Sequence, residues 1–295
     1  MSKPLLTILC GPPGAGKSTL ARSLIDSDGD HGAATVYVNQ DTQDKFHLKI
    51  FNDAIISKKD IIVDRMGFNK QQRNRYLEPA KKAGYSTKII VLHESRYICL
   101  DRCRNRKNHP TIKNEENAQS AINMFFSKYE RPTEDEADVL DFRYPERYKP
   151  ECIIVDIDNT LSDSNHRQHF LDGERKNWKG FFDAMDKDPI NKWCWDIINA
   201  LKHKMDIVLC SGRPDNYQDT TEKWLNEKSI NGHDLYMRPR NDSRRDDIVK
   251  EILLDFEVKT RYTPIFCIDD RKQVIDMYRK RGLVVLDCAG EKGHF

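Results

Sequence analysis

The sequence lacks the features that mark membrane, secreted and zinc-finger proteins. Its 295 residues contain no apolar run near the ~20 residues that span a bilayer. The first apolar run, Leu5–Leu9, leads into a glycine loop, which indicates a strand and not a signal peptide. None of the eight cysteines forms a C-x-x-C pair or joins a Cys/His cluster with zinc spacing. We therefore expect reduced core cysteines in a cytoplasmic protein without membrane contact.

The chain also lacks a strong charge of either sign and any internal repeat. It has 49 Lys and Arg against 47 Asp and Glu, a net charge of +2, which neither demands nor excludes nucleic acid as a partner. Residues 96–113 are sharply basic, with six Lys or Arg and a single acidic residue, Asp101. A hydrophobic fraction of 38% and this length suit two globular domains of roughly 150 residues each.

Short apolar runs alternate with longer helical stretches, which predicts an α/β fold with parallel sheets. The predicted strands are Leu5–Leu9, Val36–Val38, Ile61–Val63 and Ile89–Leu92, then Ile153–Val155, Ile207–Leu209, Ile265–Ile268 and Val284–Leu286. The predicted helices are Lys17–Ile25, Gln71–Ala83 and Arg96–Arg104. Prolines and an acidic run between residues 131 and 150 indicate a boundary. We expect domains at 1–148 and 149–295, each a parallel sheet with flanking helices.

A phosphate-binding loop follows the first predicted strand. Residues 11–18 read Gly-Pro-Pro-Gly-Ala-Gly-Lys-Ser, which fits the P-loop pattern G-x-x-x-x-G-K-S/T in full. Glycines let backbone N–H groups face phosphate oxygens, Lys17 reaches the outer phosphates, and Ser18 can ligate Mg²⁺. The residues expected to bind ATP or another nucleoside triphosphate here are Gly11, Gly14, Ala15, Gly16, Lys17, Ser18 and Thr19.

Three further features narrow the chemistry of this loop. Asp41 and Asp64 each follow a predicted strand, at the sheet edge where ligands bind. Either could take a proton from an attacking hydroxyl or organise Mg²⁺, and the alternative for each is a helix cap. Arg102 and Arg106 lie four residues apart on one helix face and could cover a transferring phosphoryl group. The alternative for these arginines is a solvated basic face.

A second site begins at the strand Ile153–Val155, which runs into the pattern D-x-D-x-T. Because side chains alternate along an extended strand, Asp156 and Asp158 can face the same way. One could attack phosphorus while the other handles the proton of the leaving group.

Residues at later strand ends and on one helix complete this site. Ser211 ends the strand Ile207–Leu209 and could hold phosphate. Lys250 could neutralise phosphate and nucleophile, and the paired acids Asp269 and Asp270 suit Mg²⁺. Taken in this order along the chain, the pieces point to one phosphatase site.

This order resembles the haloacid dehalogenase-type phosphatases. The resemblance implies that Asp156 forms an aspartyl-phosphate and that Asp158 is general acid and base. It implies a magnesium site made by Asp156, Asp158, Asp269 and Asp270. It also implies a small cap from Leu161 to Trp195.

A P-loop kinase followed by such a phosphatase resembles the bacteriophage polynucleotide 5′-kinase/3′-phosphatases, which heal RNA ends. The likeness spans nearly the whole chain and is closest in residues 244–251 and 268–277. It implies that Asp41 is a general base, that Asp64 contacts substrate, and that Arg102 and Arg106 form the lid. It also implies a homo-oligomer, a tetramer. The further phosphatase-site residues it implies are Arg213, Arg238 and Asp246.

The segment that grips the acceptor strand departs from the phage pattern. Residues 64–73 and 109–112 look more like the kinase domains of eukaryotic tRNA ligases. The phage pattern Asn-Arg-Asp-x-x-Arg is Asn-Gln-Asp-Thr-Gln-Asp at residues 39–44, so two arginines are missing. We expect Arg73, and next Arg65, to contact the acceptor. The alternative is an exposed Arg73 on its helix, with Lys45 as the following candidate.

These patterns predict a bifunctional enzyme. One half transfers the γ-phosphate of ATP to a 5′-hydroxyl end of RNA or DNA, and the other removes a 3′-phosphate. Whether the second half also hydrolyses a 2′,3′-cyclic phosphate is not decided by the sequence. The products suit a separate RNA ligase, because no nucleotidyl-lysine motif is apparent. Two alternatives are a small-molecule kinase joined to a small-molecule phosphatase, and an RNA-end sensor switched by a nucleoside triphosphate without turnover.

Overall fold

Two parallel β-sheets organise the chain. The computed structural model describes residues 3–27, 35–105, 114–144, 148–172 and 174–289. The chain divides into two units, residues 1–145 and 146–295, and each unit contains one five-stranded parallel sheet flanked by helices. The predicted fold class is thereby confirmed. Within the described ranges, no helix is both long and apolar enough to cross a membrane.

The sheet of the first unit has the strand order β2-β3-β1-β4-β5, which places β1 at its centre. Its strands are β1 (Leu5–Cys10), β2 (Val36–Asn39), β3 (Ile61–Asp64), β4 (Ser86–Leu92) and β5 (Asp138–Phe142). Its helices are α1 (Lys17–Ser27), α2 (Gln40–Gln43), α3 (His47–Ile56), α4 (Lys70–Lys82), α5 (Arg96–Arg104) and α6 (Glu115–Lys128). A 3₁₀ turn at Asp44–Phe46 joins α2 to α3.

Burial on both faces explains the central strands of this sheet. All four residues of β3 are buried, as are the last five of β1, so each strand is a nearly continuous apolar run. Side-chain caps then begin the helices that cover the sheet. Asn69 accepts from the backbone N–H of Gln72 at the start of α4, and Ser95 does the same for Ile98 at α5.

The sheet of the second unit has the order β10-β9-β6-β7-β8, with β6 at its centre. Its strands are β6 (Glu151–Val155), β7 (Asp206–Pro214), β8 (His233–Arg238), β9 (Thr263–Asp269) and β10 (Val284–Asp287). Its helices are α7 (Trp178–Asp183), α8 (Lys192–Leu201), α9 (Gln218–Glu227), α10 (Asp246–Leu253), α11 (Lys259–Arg261) and α12 (Lys272–Lys280). Short 3₁₀ segments at Asn165–Leu171, Met185–Lys187 and Asp215–Tyr217 and a π-helical turn at Leu254–Val258 complete the unit.

Some elements went unpredicted because their sequences are weakly patterned. Strand β5 lies within the stretch expected as a domain boundary, yet it pairs with β4 and belongs to the first sheet. Its sequence, Asp-Val-Leu-Asp-Phe, mixes polar and apolar residues without a buried position, as an edge strand does. Strand β8, His-Asp-Leu-Tyr-Met-Arg, is an edge strand with one buried residue, Met237. Helices α3 and α6 were also missed.

Candidate active sites

The P-loop runs from the carboxyl end of β1 to the first turn of α1. Gly14 and Gly16 have φ angles of 88° and 92°, which L side chains rarely adopt. A Cβ on Gly14 would also lie 2.4 Å from the carbonyl oxygen of Cys99. The Nζ atom of Lys17 donates to the carbonyls of Gly11 and Pro12, each at 2.9 Å, so this side chain folds back over the loop. The loop predicted from the sequence is formed.

Asp64 is the centre of a buried network beside this loop. Its Oδ2 accepts from Ser18 Oγ at 2.6 Å, from Tyr37 Oη at 2.6 Å and from Asn39 Nδ2 at 3.1 Å. Burial together with the Asp64 carboxylate raises the pKa of Tyr37 to about 12, so its hydroxyl stays a donor. Because Asp64 binds the predicted magnesium ligand Ser18, its position suits the second role considered above, organising Mg²⁺ and its waters.

Asp41 lies in α2, two residues beyond Asn39 at the end of β2. Asn39 caps this helix by accepting from the backbone N–H of Thr42 at 3.1 Å, and it pairs in register with Asp64. Asp41 is exposed at the same sheet edge as the P-loop, where an acceptor hydroxyl could reach it. Its role as a base stays a prediction. Tyr37, which joins this network, was not singled out from the sequence because nothing local marks it.

Arg102 lies on α5 and reaches the P-loop. Its Nη1 is 2.8 Å from Glu94 Oε2 and donates to the Gly14 carbonyl at 3.3 Å. Tyr144 Oη donates to the Gly16 carbonyl at 2.8 Å. A cavity of about 480 Å³ lies here. It is lined by Arg102, Tyr144, Gly14, Gly16, Thr19, Asp101 and Asn105. The second predicted lid residue, Arg106, lies outside the described residues.

The prediction that Arg73 contacts the acceptor is wrong. Its side chain is buried within the first unit, and Nε and Nη2 form a paired contact with the carboxylate of Glu136, both at 2.8 Å. Its Nη1 donates to the carbonyls of Gly67 and Glu130, each at 2.9 Å. The alternative of an exposed position on its helix is equally wrong. Arg65 is half-buried and donates to Tyr76 Oη at 3.1 Å, and its acceptor role stays a prediction.

The second site is built around a buried lysine at the carboxyl ends of β6 and β9. Lys250 Nζ is 2.6 Å from Asp156 Oδ1 and 2.8 Å from Asp269 Oδ2, and 3.5 Å from Asp246 Oδ2. These carboxylates raise the pKa of Lys250 well above its usual value, against the effect of burial. Burial raises the pKa of Asp156 to about 7, with Lys250 opposing the rise. Lys250 therefore balances the charge of the predicted nucleophile.

Asp156, Asp269 and Asp270 form a group that could hold a metal ion. One oxygen from each lies within 4.8 Å of the others, and all three residues are buried. Burial also raises the pKa of Asp269 and of Asp270, the latter to about 7. Three crowded carboxylates are the hard oxygen donors that Mg²⁺ prefers, so the residues fit this ion. The predicted metal ligand Asp158 contributes no side-chain oxygen to this group of described residues.

Asp158 binds two arginines instead. Arg213 reaches its carboxylate from Nε at 3.0 Å and from Nη2 at 2.7 Å, and Arg167 Nη2 also donates to it. Both arginines are fully buried and also bind Asp188, at 3.0 Å and 2.6 Å. The arginines hold the pKa of Asp158 well below its usual range despite its burial. The carboxylate is therefore ionised, which suits the base half of its predicted role as general acid and base.

Arg167 and Asp188 are the site residues that sequence reasoning missed. Both lie in the stretch expected to form a featureless cap, and no spacing links them to Asp158. The predicted cap limits were also too wide, because Leu161 and Cys194 are fully buried in the core cluster that contains Trp224.

Of the remaining predicted residues, Arg238 and Asp246 line a cavity beside Asp156, and Ser211 is not part of its wall. Ser211 is fully buried, and its Oγ accepts from the backbone N–H of Arg213 at 3.2 Å. Arg238 donates to the Gly212 carbonyl and to Asp246 Oδ1, each at 2.9 Å. A cavity of about 700 Å³ opens here, with Asp156, Asp158, Asp270, Arg238 and Asp246 in its wall. The site is thus far larger than a phosphate group needs.

Comparisons with known proteins match each unit separately. Residues 150–295 match the family described as "Polynucleotide kinase PNKP phosphatase domain", and residues 6–132 match "AAA domain". These matches to two domain families confirm the resemblance predicted from the motifs. A candidate bifunctional polynucleotide kinase/RNA ligase of Autographa californica nuclear polyhedrosis virus is 24% identical over 94% of this chain. The alignment spans only 41% of that viral protein's length.

Two of the solved structures that match this chain differ in how much of it they cover. The "Structure of the Pnkp1/Rnl/Hen1 RNA repair complex" contains a chain with 23% identity and a TM-score of 0.42, covering 97% of this chain and 96% of that one. Kti12 of Chaetomium thermophilum in complex with ADP-AlF3 has 16% identity and a TM-score of 0.39, covering 47% of this chain and 89% of its own.

Proposed function

We propose that this chain, in which an AAA-type P-loop domain precedes a polynucleotide kinase-type phosphatase domain, heals both ends of a broken polynucleotide. The first site would move the γ-phosphate of a nucleoside triphosphate, ATP in the simplest case, to a 5′-hydroxyl end. The second would remove a 3′-phosphate. We assign residues 1–148 to the kinase and 149–295 to the phosphatase. The supporting observation is the presence, in one chain, of a formed P-loop and of the Asp156–Lys250 centre.

In the kinase site, the chain's own residues would bind the donor and accept a proton. Backbone N–H groups of the P-loop face the phosphates, and Lys17 Nζ would leave the Gly11 and Pro12 carbonyls for the outer phosphate oxygens. Asp41 would take the proton of the 5′-hydroxyl as its oxygen bonds to the γ-phosphorus. The bond from that phosphorus to the β–γ bridging oxygen breaks, and a nucleoside diphosphate leaves. Ser18 and Asp64 would hold Mg²⁺.

In the phosphatase site, an Asp156 oxygen would attack phosphorus and the bond to the 3′-oxygen would break. The 3′-oxygen would take a proton from solvent. Water would then attack phosphorus, the bond between the Asp156 oxygen and phosphorus would break, and inorganic phosphate would be released. Asp158, which is paired with two arginines, would accept the proton of that water. Asp156, Asp269 and Asp270 would hold Mg²⁺, which when bound offsets the negative charge of the phosphoryl group.

The partner we propose is a polynucleotide end of RNA or DNA, and the products would suit an RNA ligase. The viral relative named above combines a polynucleotide kinase with an RNA ligase. A ligase joins a 5′-phosphate to a 3′-hydroxyl, and these are the two ends that the proposed reactions create.

One experiment tests both activities. The protein is incubated with labelled ATP, Mg²⁺ and an oligonucleotide that carries a 5′-hydroxyl and a 3′-phosphate, and both ends are followed. Lys17→Ala should abolish 5′-phosphorylation and spare 3′-dephosphorylation, and Asp156→Asn should do the reverse, each by several powers of ten. Loss of both activities in either folded variant would contradict the assignment. Turnover of small phosphomonoesters and small alcohols alone would favour the small-molecule alternative.

A further inference from the structure

One part of the phosphatase cavity is aromatic. Trp178, Phe181 and Phe182 of α7, here called the aromatic wall, line the same opening as Asp156 and Asp158. The rings of Trp178 and Phe182 are stacked, with centroids 5.9 Å apart and planes at 23°. Phe182 packs in turn on Tyr217, at 5.5 Å. A charged phosphate group gains little from contact with an aromatic surface, so we expect the wall to contact another part of the substrate.

Core packing explains only part of this wall. Phe181 is buried, whereas Trp178 keeps 44% of its surface exposed. A structural tryptophan of the same unit, Trp224, is 1% exposed and donates its Nε1–H to the Asp188 carbonyl at 2.8 Å. Burying the exposed part of the Trp178 ring against another flat ring would stabilise a complex. The exposed part therefore suits a planar ligand.

The aromatic wall is fixed to the reacting centre. The Arg167 guanidinium lies over the Phe181 ring, 4.0 Å from its centroid, and Arg167 Nη1 donates to the Phe181 carbonyl at 3.2 Å. The same guanidinium binds Asp158. One buried arginine thus joins the wall to a catalytic carboxylate, so a group stacked on the wall would be held near the phosphate that reacts.

Basic side chains line the same cavity and suit a phosphodiester strand. Arg240 and Lys176 are exposed, and Lys176 Nζ lies 5.8 Å from the centroid of the Trp178 ring. Arg244 and Arg245 also line the cavity, paired with Asp242 and Asp247. Aromatic faces beside cations are the means by which proteins bind single strands without reading their sequence.

We propose that the nucleobase of the 3′-terminal nucleotide stacks on Trp178. The inference rests on the proposed phosphatase function and names its substrate class: unpaired 3′-phosphate ends of any sequence. A cavity of about 700 Å³ has room for a whole nucleotide. Stacking accepts any base because every base has a π face, and a base that pairs in a duplex would first have to leave its partner.

The test compares substrates that differ only in the terminal base. The first is a single-stranded oligonucleotide with a 3′-phosphate, and the second ends in a tetrahydrofuran abasic residue with the same phosphate. Trp178→Ala should lower kcat/KM on the first about tenfold or more, mainly through KM, with a much smaller loss on the second. Trp178→Phe should retain most of the activity. The matched control is Trp193→Ala, because Trp193 is 43% exposed in α8 and lies outside the cavity.

Three outcomes would overturn the inference. The first is an equal loss of kcat/KM on both substrates in Trp178→Ala. The second is a loss of kcat/KM in Trp193→Ala as large as that in Trp178→Ala. The third is an equal kcat/KM of the unmodified protein on both substrates. In each of these the 3′-phosphatase function itself would still stand. Absence of 3′-phosphate removal in the unmodified protein would contradict the function instead. The affinity for the base-containing oligonucleotide would then test the stacking on its own. This oligonucleotide must bind the Trp178→Ala protein more weakly than it binds the unmodified protein.

Discussion

Tyr37 shows how one side chain can serve a site without touching the reacting groups. Its hydroxyl donates to Asp64, which also binds Ser18, and the Nδ2 of Asn39 donates to the same hydroxyl at 2.9 Å. The carboxylate of Asp64 is therefore held in one orientation by three donors. None of this is visible in the sequence, because Tyr37 and Asp64 lie 27 residues apart.

Tyr37→Phe should weaken the kinase and leave the phosphatase unchanged. The ring stays and two hydrogen bonds are lost, one to Asp64 and one from Asn39. Each is worth about 0.5–1.5 kcal/mol, so activity should fall roughly fivefold or more. If Tyr37 positions Asp64, the loss should appear as a higher Mg²⁺ requirement of 5′-phosphorylation. An unchanged Mg²⁺ titration with a general fall in stability would leave Tyr37 a purely structural residue.

Lys250 is a cation enclosed by three carboxylates. Without its positive charge, the repulsion between these carboxylates should destabilise the fold. Breaking a buried ion pair on one side costs about 3–5 kcal/mol, and Lys250→Met should destabilise the second unit by that order. Because Mg²⁺ would replace the lost charge, MgCl₂ should raise the melting temperature of this variant more than that of the unmodified protein.

The measurement uses tryptophan fluorescence, because all four tryptophans lie in residues 178–224 of the second unit. The control is Lys272→Met, whose exposed contact with Asp276 should be worth no more than about 1 kcal/mol. An equal response to MgCl₂ in Lys250→Met and in the unmodified protein would contradict the metal assignment to Asp156, Asp269 and Asp270.

At the scale of elements, the local patterns predicted the strands that carry both sites. The P-loop and the D-x-D-x-T strand are short, buried and unbroken in sequence, so their identity does not depend on distant residues. A partner of Asp158 comes from elsewhere: Arg167 lies in the cap stretch, as does Asp188, which binds Arg167 in turn. Edge strand β5 was missed because exposed polar positions interrupt its apolar residues, and edge strand β8 was missed because it has a single buried position.

Helix α4 illustrates the limit of reasoning from charge. The helix contains five Lys and Arg, yet Arg73 faces inward and binds Glu136, whereas Arg75, two residues on, is exposed. Spacing along a helix shows which residues share a face but not which face is buried. A basic helix beside a kinase site therefore gave a false acceptor contact.

Arg73→Met should act on stability and not on the acceptor. An unpaired Glu136 would be left in the interior, at a cost of about 3–5 kcal/mol to the first unit. Adding Glu136→Leu should recover part of this loss, and Arg75→Met should change stability by no more than about 0.5 kcal/mol. Urea unfolding followed by circular dichroism measures the loss, while tryptophan fluorescence reports the second unit separately.

The acceptor KM of folded Arg73→Met protein, taken at low temperature, should stay near that of the unmodified protein. A raised KM with a flatter salt dependence would return Arg73 to the acceptor site and contradict its placement in the interior.

At the scale of the whole molecule, each proposed site draws its described residues from one unit. Those of the kinase lie between Gly11 and Tyr144, and those of the phosphatase between Asp156 and Arg271. The domain order followed from the motifs because each motif is local, and the two specific reactions stay predictions. The width of the phosphatase cavity did not follow from the motifs, since it depends on how the cap stretch packs on Asp158.

Because neither site borrows a residue from the other unit within the described chain, the two reactions should need no shared molecule. An equal mixture of Lys17→Ala and Asp156→Asn proteins should heal both ends of one oligonucleotide. Each half-reaction should proceed at about the rate of the same amount of unmodified protein, since each variant keeps one intact site. The measured quantity is the rate at which oligonucleotide with both ends healed forms. It is compared with the rate for unmodified protein at the same concentration of each intact site. A mixture that phosphorylates and dephosphorylates separate oligonucleotides normally, yet forms doubly healed product much more slowly, would mean that the ends pass between the sites of one molecule.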